Sequence, residues 1–120
     1  MAVAALVVAV LGCLFILFIG VRFLVAPSIA TAGFGVAEDR RRAFTSIKGV
    51  RDITSGIVPL VVLLTAGPHV FGWVLVAAAI TPIGDAIIVV TNGGTLRQAL
   101  SVHGATALVL VVAGLVLALV

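Results

Sequence analysis

The chain has 120 residues, of which 63% are hydrophobic and 9% charged, and its mean hydropathy is +1.45. An ordinary soluble domain is about half apolar and about a quarter charged, so a soluble fold of this length is excluded. The net charge of +3 comes from seven dispersed basic residues against four acidic ones. That is too little for a nucleic-acid partner and reads as membrane topology instead.

Residues 3–25 are almost unbroken hydrophobic, and Arg22 is the first charged side chain. About 20 such residues suffice to span a bilayer. A cleaved signal peptide wants a basic start and a shorter apolar core, so a retained first helix is expected, ended by Pro27. Cys13 is the sole cysteine. No internal disulfide can form, and its mid-span position suits a small packing residue. Residues 27–36 (PSIATAGFGV) read as a connection. In residues 38–42 (EDRRR) acidic side chains precede basic ones, which suits the first turns of a helix beginning outside the bilayer.

Between Asp52 and Asp85 there is no charged residue. The interval is too long for one span, and Gly67-Pro68 supplies a turn within it. The second span is therefore 44–66 and the third 69–91, with Trp73 near an interface. Asn92-Gly93-Gly94-Thr95 is a second turn signal, and 98–120 is the fourth span. The fold expected is an all-α bundle of four transmembrane helices in a single domain. Its loops 26–43 and 92–97 both carry arginine, whereas the turn 67–69 carries neither Lys nor Arg. The positive-inside rule then puts the two arginine loops in the cytoplasm of a bacterial-type inner membrane and both termini outside.

Taking the cytoplasmic edges near Val25, Phe44, Thr91 and Gln98, a helical rise places Asp52 roughly 10–12 Å inside, Asp85 roughly 9 Å, His103 roughly 8 Å and Arg22 roughly 5 Å. All four spans thus contribute a polar group to one half of the bilayer. At about 100° per residue, Lys48, Asp52, Ser55 and Pro59 share a face with Arg51 beside it, and Thr81, Asp85 and Asn92 align on the third span. Lipid does not solvate such faces, so they turn inward. Gly49, Gly56, Gly84 and Gly104 stand next to them and permit close helix approach.

The pattern Arg22…Ala26-Pro27…Phe34-Gly35, then Lys48-Gly49-Val50-Arg51-Asp52 with Gly56, then Gly84-Asp85 and His103-Gly104 resembles a family of small four-helix integral membrane proteins of bacteria and fungi, classed as a domain of unknown function. The resemblance covers nearly the whole chain. It implies the four-helix membrane fold and carries no activity with it.

Two carboxylates in a low-dielectric pocket do not both ionise easily. Asp52 and Asp85 are therefore candidates for an acid–base pair. Arg51 would orient them, and His103 would relay protons. Arg22, Lys48, Ser55, Thr81 and Asn92 are candidate ligand-binding residues. Such a pocket suits hydration, isomerisation or cyclisation of a lipophilic small molecule. The expected partners are that molecule and membrane lipid. No cofactor is demanded, and the sequence has no metal-ligand spacing. Two other readings use the same residues. In one, buried ion pairs, Arg51 with Asp85 or Lys48 with Asp52, only fix helix packing in a structural subunit, while Arg22 and Lys48 snorkel to the headgroups. In the other, Asp and His relay protons in a small transporter. A homodimer is compatible with four helices but not required.

Overall fold

The computed structural model describes residues 1–35 and 42–120, and among these every regular element is helical. Most of the charged stretch 38–42 lies outside the described residues. The first helix, α1 (Ala2–Val25), buries Ala5, Ala9, Cys13, Gly20 and Phe23. Ala5, Ala9 and Cys13 recur every four residues, which makes one narrow face of small side chains. Cys13 and Gly20 meet the first arm of α3 (Arg42–Ala78). A Cβ added at Gly20 would lie 2.7 Å from the Gly49 carbonyl oxygen, and one at Gly56 would lie 2.6 Å from that of Cys13. The two backbones therefore touch, running antiparallel. Close approach of this kind is how small residues hold helices together where no hydrophobic force acts between them.

Between α1 and α3 the expected irregular connection is instead a short helix, α2 (Pro27–Phe34). Ala26 leaves the helical region (φ −135°, ψ 67°) and Pro27 starts anew at the first helical position. Proline is pre-organised there, because the missing N–H would have no partner anyway. So Pro27 both ends one helix and begins the next. Gly35 closes α2 in the left-handed region at φ 106°.

Gly67 divides α3 at φ 82°, ψ 176°, a conformation essentially restricted to glycine. Pro68 follows and opens the return arm. This is the turn expected from Gly67-Pro68, made tighter than a loop. The return arm continues through α4 (Ile80–Thr91), which buries Pro82 and Val89. The Asn92–Gly94 turn leads to α5 (Leu96–Gln98), where the Thr95 hydroxyl accepts from the Gln98 N–H at 3.1 Å. Residues Ala99–Gly104 form a π turn, and α6 (Ala105–Leu119) completes the chain. The fourth span is therefore one rod with a π insertion near its start.

The apolar core unites Ala5, Ala9 and Cys13 with Phe71, Leu75, Ala113 and Leu117. Cys13 is packing material, as expected. A Cβ at Gly72 would lie 2.6 Å from both the Ala118 nitrogen and the Gly114 oxygen, so the return arm and α6 also meet backbone to backbone. This core lies at the end that holds both termini and the Gly67 turn. Segments Ala2–Val25, Phe44–Thr91 and Leu96–Leu119 are long and apolar enough to cross a membrane, the middle one as a hairpin. The long axis of the molecule, 44 Å, exceeds the ~30 Å hydrocarbon thickness of a bilayer.

Candidate functional site

The opposite end of the bundle is built on a buried carboxylate. Asp52 is 6% exposed, and Lys48, one turn earlier on α3, donates to its Oδ2 at 2.8 Å. Lysine before aspartate is the less favoured order on an isolated helix, so the pair draws its geometry from neighbours. The Lys48 ammonium stands 4.8 Å from the Phe23 ring centroid and 4.5 Å from that of Phe34, within cation–π range of both. The two rings are 6.3 Å apart and nearly perpendicular. Lys48 is thus held in a three-sided cage of two aromatic faces and a carboxylate.

Phe34 is the last residue of α2, and the π turn before α6 holds it from behind. His103 is 5% exposed, its Nε2 lies 2.8 Å from the Phe34 carbonyl oxygen, and the two rings meet at 4.4 Å. A carbonyl only accepts, so Nε2 carries the hydrogen and donates. The other ring nitrogen, Nδ1, then faces Asp85, whose Oδ2 is 3.9 Å away. Gln98 donates from Nε2 to the Ala32 oxygen at 3.1 Å and to the Gly33 oxygen at 3.3 Å. The last carbonyls of a helix have no intrahelical partner; here two side chains from the fourth span supply one. Residues five apart on an α-helix diverge by about 140°. In a π turn residue i bonds i+5, which brings Gln98 and His103 round to the same helix end.

Between α2, the first arm of α3, and α4 lies an open cleft of about 710 Å³. Lys48, Asp52, Ser55, Thr81 and Asp85 form its polar wall, with Arg51 and Thr54 beside them. Phe34, Phe44, Ile47, Val50 and Ile88 supply its apolar part. Phe44, Ile47, Val50 and Ile88 are themselves exposed, so the cleft opens sideways between apolar lips. The Thr54 and Ser55 hydroxyls donate to the backbone oxygens of Val50 and Arg51. The Asp85 side chain is 24% exposed there. Among the described residues no three His, Cys, Asp or Glu side chains converge as a metal site, and no buried side-chain nitrogen or oxygen lacks a partner.

The structure brings Asp52, Asp85, Arg51, Lys48, Ser55 and Thr81 onto one cleft, with His103 behind Asp85. Three placements differ from expectation. Of the two ion pairs named for the packing reading, Lys48–Asp52 forms and Arg51–Asp85 does not; Arg51 is exposed and makes no ion pair among the described residues. The reason is angular. Lys48 is a full turn before Asp52, whereas Arg51 is its direct neighbour and diverges from it by about 100°. Lys48 accordingly turns inward instead of snorkelling. Arg22 stays off the cleft, with its guanidinium 5.7 Å from the Phe18 ring centroid. Asn92 donates back to the Ile88 oxygen at 2.9 Å and belongs to the end of α4. Phe23, Phe34 and Gln98 were not foreseen as part of the site. The signal for Phe34 was its place in the Phe34-Gly35 element beside the charged motif; Gln98 gave none, because its position depends on the π turn.

The family described as Domain of unknown function (DUF4267) matches residues 13–117, and the chain belongs to that family. The match spans the caged lysine, both carboxylates and His103. No curated protein and no solved structure matches the chain.

Proposed function

We propose that this membrane protein takes a lipophilic small molecule, polar group first, from the bilayer into the cleft between α3 and α4, and exchanges a proton with it at Asp85. The observation that carries the reading is the cleft itself: an opening of about 710 Å³ with apolar lips and a polar wall. Pockets that combine apolar lining with a few convergent polar groups are where ligands bind. Asp85 is the carboxylate available to a ligand, because Asp52 is bound to Lys48. Behind it, His103 has its tautomer set by the Phe34 carbonyl, so a proton on Asp85 has Nδ1 as a nearby base. Thr81, one turn before Asp85 on the same face, adds a hydroxyl. Delivering a proton at one atom of a substrate and removing one at another is the whole requirement of an isomerisation or cyclisation, and hydration adds a water to the same scheme. Asp85 is the acid–base group, and His103 is its relay and positioning residue.

The two carboxylates therefore divide the work proposed for them. The Lys48–Asp52 pair supports the packing reading, since it is complete within the protein. The transport reading has less support, because the tightly packed Phe71 and Leu75 core lies beyond the cleft. With arginine at the cleft end, the positive-inside rule puts that end in the cytoplasm of a bacterial-type membrane.

Native mass spectrometry of the detergent-purified protein, with extraction of retained lipophiles, tests the proposal. A retained species is expected in the wild type and lost in Asp85→Asn, while the melting temperature of that variant stays within a few degrees. A wild type that retains nothing, or an Asp85→Asn variant that unfolds and keeps no cleft at all, would overturn it in favour of a packing role.

A further inference from the structure

The cleft has two cations and two anions on its wall, and they are not equivalent. Lys48 and Asp52 neutralise each other at 2.8 Å, and the Lys48 ammonium is further enclosed by Phe23 and Phe34. Asp85 faces a histidine. Arg51 is different: it lines the cleft, is exposed, and makes no ion pair among the described residues. Phe44, Ile47 and Val50 line the cleft on the side before it and Thr54 and Ser55 on the side after it. A guanidinium presents up to five donors in a fixed plane, and a charge within a membrane segment is costly without a counter-ion. It stands seven residues past Phe44, the first residue of the hairpin span, so its Cα is roughly 10 Å inside that edge.

We propose that Arg51 is the anchor for an anionic head group, a carboxylate or a phosphate, and that the molecule entering the cleft is an anionic amphiphile. The inference rests on the cleft being a ligand site and adds the class of ligand. The geometry of the guanidinium matches both oxyanions by two parallel N–H···O bonds. The apolar lips beside it receive the chain, and Asp85, further along the same wall, meets a neutral part of the molecule, since a second anion there would be repelled. Lys48 is not the anchor, because its charge is already neutralised inside the protein.

The test compares two probes of equal chain length, radiolabelled oleate and oleyl alcohol, titrated against the detergent-purified full chain, with dioleoyl phosphatidate and inorganic phosphate as competitors. Oleate is expected to bind about tenfold or more tightly than the alcohol, the worth of a charge-assisted pair. Arg51→Gln should bring oleate down to the level of the alcohol and leave the alcohol unchanged, and Arg51→Lys should restore part of the preference. Displacement by phosphatidate but not by inorganic phosphate would assign the anion to a membrane lipid. Displacement by phosphate as well would assign the site to the anion alone. Thr81→Trp, which fills the cleft from an exposed position, should abolish binding of both probes. Equal binding of oleate and alcohol by the wild type, or a preference that survives Arg51→Gln, overturns the anchor and leaves the cleft reading standing. A preference untouched by Thr81→Trp places the anion outside the cleft and also overturns it. Failure of both probes to bind the wild type overturns the cleft reading and the anchor together.

Discussion

The two ends of the bundle solve the same problem in opposite ways. At the end with the termini, helices meet through glycine and alanine until backbones touch: Gly72 against Gly114 and Ala118, with Phe71 and Leu75 filling what remains. At the other end α1 still meets α3 through Gly20 and Gly49, but α3 and α4 stand apart and leave a cleft, and what borders it is polar and aromatic: Lys48 between two rings, and α2 tied by Gln98 and His103. Lipid gives apolar side chains no reason to leave it, so close packing needs small residues, and a gap needs polar groups to define its walls. One end is therefore close-packed and the other left open.

The comparison breaks first at the tight end. Gly72→Val places a branched side chain where even a Cβ meets backbone atoms, and overpacking of this kind costs about 3 kcal/mol; a steep fall in folded yield and in detergent melting temperature is expected. Gly12, on the same bundle but with nothing within 4 Å of an added Cβ, is the control, and Gly12→Ala should be neutral or slightly stabilising by about 0.5 kcal/mol. At the cleft end, Lys48→Met leaves Asp52 buried without its cation. A loss of about 2 kcal/mol is expected, below the full cost of an unpaired buried charge because the lysine is partly exposed. Adding Asp52→Leu should recover most of it, a coupling that a double-mutant cycle in melting temperature measures. His103→Leu removes the donor to the Phe34 carbonyl and should cost about 1–2 kcal/mol, with faster hydrogen exchange confined to α2. Arg51→Gln comes last: its stability should stay within about 0.5 kcal/mol of the wild type, so that its effect on binding is separable from folding.

Much of this architecture was legible in the residues. The four apolar segments, the Gly67-Pro68 turn and the Asn92-Gly93 turn follow from span length and turn chemistry, and the convergence of Lys48, Asp52, Ser55, Thr81 and Asp85 follows from helical angle. What escaped notice has specific physical causes. Helix α2 is short and contains Thr and Gly, so its propensity is weak; it is held by side chains more than sixty residues away. Pro27 reads equally well as a stop and as a start. Which of Lys48 and Arg51 ends up paired is settled by helical angle, because both lie within one turn of Asp52 and depth alone does not separate them. The π turn has no composition of its own, so nothing in ALSVHG announces it.

That turn has a consequence for how this chain can vary in length. A π insertion is one residue more than the helix needs, so it works as a phase shift: the face of the rod before Ala99 is rotated relative to the face after Gly104. Removing a single residue between Ala99 and His103 would let the segment relax to ordinary winding while Ala107, Ala113 and Leu117 keep their places in the core. Gln98 would then rotate off α2, and the cleft would lose one of its two rear supports with the rest of the bundle intact. The extra residue is thus the price of seating two side chains on one helix end, and a chain shortened by one there should fold well and hold α2 badly.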